Sequence, residues 1–92
     1  MNNFLYLLQI VMDVHDFLGG DVKVRLEGER ELVVEGRTET KTGNWSSSSN
    51  SFRRRFCLPP NTDLAAMSAV LSDDGILTVS APLKVYSKLR TL

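Results

Sequence analysis

The chain reads as an all-β domain, an antiparallel β-sandwich or barrel, and three observations predict it. Apolar residues recur with a period of two in several short runs. Turn-forming glycines, prolines, asparagines and aspartates separate those runs at short intervals. No long stretch carries the apolar spacing of a helix, and there is no internal repeat.

The elements follow in order. In "QIVMDV", Ile10, Met12 and Val14 share one face, and Val11 and Asp13 the other. The wider stretch "FLYLLQIVM" (Phe4 to Met12) has the apolar character of a signal-peptide core. No Lys or Arg precedes it, no small-residue cleavage site follows, and it is too short to span a bilayer, so it is expected to be a strand with an apolar lead-in. "FLGGD" (Phe17 to Asp21) interrupts the pattern with paired glycines that permit positive φ. "VKVRLE" then sets Val22, Val24 and Leu26 against Lys23, Arg25 and Glu27. "ELVVEGRTE" (Glu31 to Glu39) gives a third strand, its adjacent valines suited to a pleated surface.

"TKTGNWSSSSNS" (Thr40 to Ser51) is polar, has little to bury, and is predicted to be a loop. Trp45 stands alone in it, a setting in which tryptophan packs locally or at a partner surface. "FRRRFCL" resumes the alternation: Phe52, Arg54, Phe56 and Leu58 on one face, Arg53, Arg55 and Cys57 on the other. Pro59 and Pro60 stop the strand, because proline cannot donate to a ladder. "NTDLAAM" is a connection with room for one helical turn. "MSAVLSDDGILTVSAP" is predicted to be a hairpin turning at Asp74-Gly75 and ending at Pro82.

Composition narrows the function. With 92 residues the chain holds one domain, and its 11 basic residues balance its 11 acidic ones. The arginine run therefore lacks the basic excess by which a nucleic-acid binder gains affinity from phosphates. One cysteine excludes an internal disulfide and fits a reducing compartment. His15 beside Asp16 has no nucleophile placed near it, and Cys57 is expected to be a small packing residue. One histidine and one cysteine cannot assemble the usual zinc ligand sets, and neither a phosphate-binding loop nor a dinucleotide fingerprint is present. No catalytic residue, metal or cofactor is expected, and the function is assigned to surfaces made from strands.

Three motifs in order resemble the alpha-crystallin domain of metazoan small heat-shock proteins: "IVMDVHDF", "SFRRRFCLPPNTD" and "LSDDGILTVSAP". The resemblance covers Gln9 to Pro82 and gives a short flank at 1–8, the domain at 9–82 and a tail at 83–92. It implies an immunoglobulin-like antiparallel sandwich and an ATP-independent holdase that binds partly unfolded clients. It further implies a dimer contact by edge pairing near Arg54, with Phe52, Phe56 and Trp45 placed at that contact. Because Arg54 shares a face with two phenylalanines, its charge requires an acidic partner or water; family members offer an acidic residue from the preceding strand and loop, where this chain has Gly43, Asn44 and then serines, with Glu39 the nearest acid. A second surface implied by the family is a groove between "VKVRL" and "MSAVL" for a tail or client segment, to which Val22, Val24, Met67 and Ala69 are assigned; as plain strand residues they read equally as core.

The expected partners are unfolded client proteins, a second copy as a homodimer, and other small heat-shock proteins in larger hetero-assemblies, with no nucleic acid and no membrane. The short flanks lead us to expect a dimer or monomer rather than a large particle. The expected location is cytoplasmic, with the nucleus as a further compartment. Two other readings stand beside this one: a co-chaperone or scaffold module binding one specific protein, and an oligonucleotide binder using Arg53, Arg54 and Arg55.

Overall fold

The computed structural model describes residues 6–43 and 46–84. In order these form strands β1 (Tyr6–Asp13), β2 (Asp21–Glu27), β3 (Glu31–Thr42), β4 (Ser46–Cys57), β5 (Ser68–Leu71) and β6 (Ile76–Leu83). Single 3-10 turns occupy His15–Phe17 and Leu64–Ala66. Two antiparallel three-stranded sheets, ordered β1-β6-β5 and β2-β3-β4, make the layers of the sandwich.

Alternation places the core. Leu32 and Val34 of β3 and Leu77 and Val79 of β6 project between the sheets, with Val14 and Leu58 completing the buried cluster. Leu8, Ile10, Met12, Val22, Val24, Phe52 and Phe56 close around it, all on the faces that the period-two pattern assigns inward. Phe52 lies across Gly36, its register partner, and any Cβ at residue 36 would run into that ring. The ring of Phe17 holds Phe52 from the other side, centroids 4.6 Å apart at 59°.

The hairpin between β5 and β6 forms as the sequence predicts. Gly75 has φ 85, and its amide donates to the Ser72 carbonyl at 3.0 Å. The Val14 amide donates to the Gly75 carbonyl at 2.8 Å, tying this turn to the end of β1.

Four expectations are corrected. The Ser-rich stretch is not a loop: Thr38 to Thr42 pair residue by residue with Asn50 back to Ser46. The turn at Gly43 (φ 72) folds β4 back on β3, and the regular ladder continues although neither face offers anything to bury. The glycines at 19 and 20 do not use positive φ. Gly20 is instead demanded by proximity, because a Cβ there would strike the carbonyl of Arg37. Pro82 does not end β6, which runs to Leu83. The Val14–Gly75 bond sets the phase of the β1–β6 ladder, so the pair Leu7–Pro82 is a non-hydrogen-bonded one. The missing N–H of Pro82 thus points away from β1, to a side where β5 has already stopped at Ser68. Finally, Cys57 is exposed rather than a packing residue. The first strand begins at Tyr6 and so takes in part of its apolar lead-in.

Candidate functional site

Two of the three arginines lie on the outward face of the β2-β3-β4 sheet. Register sets Lys23, Glu35 and Arg53 in one row, Arg25, Val33 and Arg55 in the next, and Glu27, Glu31 and Cys57 in a third. Ion pairs tie these residues together: Arg53 to Glu35 at 3.0 Å within the first row, and between rows Arg25 to Glu35 at 3.1 Å and to Glu27 at 3.4 Å, and Arg55 to Glu31 at 2.9 Å and to Glu27 at 3.5 Å. Arg53 and Arg55 are therefore neutralised by carboxylates of the neighbouring strand, which leaves little for a phosphate backbone. Each exposed pair is worth only about 0.2–1 kcal/mol, but together they lie over Val33, which is fully buried on this outward side.

Arg54 takes the opposite face. It stands across from Val34 and between the half-buried Phe52 and Phe56, yet is itself exposed, and no acidic side chain pairs with it among the described residues. Its side chain is open to solvent; Glu39, a paired neighbour of Ser49, is not its partner. β4 is an edge strand, so Arg54 sits on an open rim. Phe52 and Phe56 lean on the core from that rim. Trp45 lies outside the described residues.

The second surface is a groove of about 280 Å³ where the β2 edge faces the β5 edge. Val24, Met67 and Ala69 line it together, as do Leu26, Leu32, Leu64 and Val79. Val22 is half-buried against the core and is not among its lining residues. Leu32 and Val79 form a core floor, and Leu26, 42% exposed, stands at the open side. The Leu64–Ala66 turn supplies Leu64, which the sequence reading left in a connecting segment. Its signal was the apolar pair Leu64 and Met67 at a spacing that one turn brings to the same side. Such a groove can seat aliphatic side chains of an extended peptide, while the edge amides beside it can pair with its backbone.

His15 and Asp16 approach to 3.8 Å on the surface, both side chains open to solvent. No group of three or more His, Cys, Asp or Glu able to hold a metal occurs among the described residues, and no described helix is long and apolar enough to cross a membrane.

Comparison with known proteins agrees with this architecture. The model of the Hsp20/alpha crystallin family matches residues 7–91. Stress-induced protein 1 of Caenorhabditis elegans is 40% identical over 73 residues, covering 79% of this chain and 45% of that protein. Protein lethal(2)essential for life of Drosophila melanogaster is 32% identical over 83 residues, covering 90% of this chain and 44% of that protein. The chain thus spans about half the length of these relatives. Among solved structures, Stress-induced protein 1 superposes with a TM-score of 0.78 at 34% identity, covering 100% of this chain and 93% of that one. The rat alpha crystallin domain superposes at 0.77 and 26% identity, covering 99% and 95%. With its sandwich, its motifs and these matches in agreement, the chain belongs to the Hsp20/alpha crystallin family of small heat-shock proteins.

Proposed function

We propose that the chain is an ATP-independent holdase that shields apolar segments of partly unfolded proteins and so suppresses their aggregation. The observation that carries this is the groove between β2 and β5: apolar floor, open side, and strand edges on both flanks. Such a site gains from covering any exposed aliphatic segment, which needs no sequence-specific partner and no chemical energy. Relatives named for heat shock and stress induction support the same reading. The open β4 rim around Arg54, Phe52 and Phe56 supports self-pairing with a second copy or with related chains, with Trp45 the neighbouring candidate. The proposed site of action is the cytoplasm, with the nucleus as a further compartment.

Light scattering from a heat-aggregating client decides the matter. The chain should delay aggregation of unrelated clients, and Leu26→Asp or Ala69→Asp, both at exposed lining positions, should remove most of that protection while leaving the sandwich folded. The second reading, a module binding one specific protein, is favoured by the small size of the groove. It would be preferred if no model client were protected while one partner bound saturably.

A further inference from the structure

Four strand edges are open among the described residues: β1 and β5 of one sheet, β2 and β4 of the other. Folded proteins blunt such edges with charge or shortness. β2 carries Asp21, Lys23, Arg25 and Glu27, β4 carries three arginines, and β5 has only 4 residues. β1 uses neither device. Its 8 residues, YLLQIVMD, carry no charge before Asp13, and Leu7 and Val11 stand 58% and 61% exposed on its outer face.

The backbone phase of β1 specifies what can cover it. The Val14–Gly75 bond continues the β1–β6 ladder, so the even-numbered residues of β1 turn their N–H and C=O groups toward β6. The odd-numbered residues Leu7, Gln9, Val11 and Asp13 turn theirs to the open side. These same residues project to the outer face, since Ile10 and Met12 pack on the core. An antiparallel partner must therefore match odd residue with odd residue. With a second β1 as that partner, centring the two-fold on Gln9 sets Leu7 opposite Val11 of the other copy, and Val11 opposite Leu7. Every outward apolar side chain then meets an apolar one, and the two Gln9 amides face each other. Shifting the centre to residue 8 or 10 sets Leu7 against Gln9 or against Asp13.

We infer that β1 is a homotypic pairing edge: two copies join antiparallel through Tyr6–Met12 with the two-fold at Gln9, fusing their β1-β6-β5 sheets into one six-stranded sheet. The contact is isologous, the same patch used twice. Its footprint is small, an edge of roughly 23 Å at ~3.3 Å per residue, well short of the ~800 Å² per partner of a stable dimer. The association is therefore weak and fast, formed at high protein concentration. It uses neither the β2–β5 groove nor the β4 rim, so it stands or falls apart from the holdase reading.

Single cysteines placed at Leu7, Gln9, Val11 and Asp13 in a Cys57→Ser background, treated with a short bismaleimide, map the register. In the pair, the two copies of residue 9 lie about 5.5 Å apart, those of residues 7 and 11 roughly 14 Å, and those of residue 13 roughly 27 Å. Crosslinked dimer should peak at Gln9→Cys, fall equally at Leu7→Cys and Val11→Cys, and vanish at Asp13→Cys. A flat profile, a peak elsewhere, or no crosslinking at any of the four overturns the inference. A charge swap checks it independently by sedimentation equilibrium. Leu7→Glu and Val11→Lys should each weaken self-association roughly tenfold, and the double variant should recover most of the loss, because each new charge faces its opposite across the pair. A double variant no tighter than the single ones overturns it. Both sites are exposed, so circular dichroism should be unchanged throughout.

Discussion

Arg55 stands directly across the β3–β4 ladder from Val33, whose side chain has no surface open to solvent although it points away from the sandwich core. Arg25 flanks the same valine from β2. The aliphatic stems of the two arginines roof Val33, and Glu27, Glu31 and Glu35 hold their guanidinium heads in place. The three successive arginines of β4 thus divide their roles: Arg55 covers Val33, Arg53 pairs with Glu35, and Arg54 sits on the rim.

If the roof matters more than the charges, Arg55→Met should preserve most of the stability and Arg55→Ala should not. We expect Arg55→Ala to cost about 1 kcal/mol, or roughly 4–8 °C in Tm for a domain of this size. Thermal melts at low and high salt separate the two contributions. Equal losses for both variants would show that charge pairing, rather than cover, is what Arg55 supplies.

Gly36→Ala should destabilise by about 1–3 kcal/mol, because the new methyl group must displace a Phe52 ring already held by Phe17. Adding Phe52→Leu should recover part of that cost, giving a clearly non-additive double-mutant cycle. Additive losses in chemical denaturation would mean that the two positions do not compete for the same space.

Gly75→Ala combines a positive φ of 85 with a collision against the His15 backbone. A loss of about 2 kcal/mol or more is expected. Hydrogen exchange gives a sharper readout than the melt: the Val14 amide, bonded to the Gly75 carbonyl, should lose protection first. Retained protection at Val14 would separate the turn from the end of β1.

Arg54→Ala should leave the monomer's stability within about 0.5 kcal/mol of the unchanged protein, since its side chain is exposed and unpaired among the described residues. Its effect should fall on pairing through the β4 rim, seen as a change in sedimentation at matched concentration. A large drop in monomer stability would reveal a packing role that the exposed position does not suggest.

Much of this was readable in the chain itself. Lys23, Arg25 and Glu27 against Val22 and Val24 gave β2 its two faces, and Asp74-Gly75 announced a hairpin that forms as expected. The Ser46–Ser51 strand was hidden because period-two reading depends on apolar contrast, and serine on both faces supplies none. Its pairing comes from continuation of the β3 ladder, a long-range property. The groove was half visible: Val24, Met67 and Ala69 were assignable by resemblance, but Leu26, Leu64 and Val79 join them only through the stacking of two sheets. The cover over Val33 was invisible for the same reason, since the residues concerned come from three strands.

β2 ends at Asp21, opposite Arg37, so among the described residues the ladder beyond Arg37–Ser51 is a two-ply ribbon, and the sequence puts no greasy side chain from Thr38 to Thr42 or from Ser46 to Asn50. Unsupported ribbons of this kind are marginal in water. Warming should fray this tongue well before the sandwich melts, shortening the β4 rim while the β2–β5 groove stays intact. Heat would then act on how copies join before it acts on what they hold.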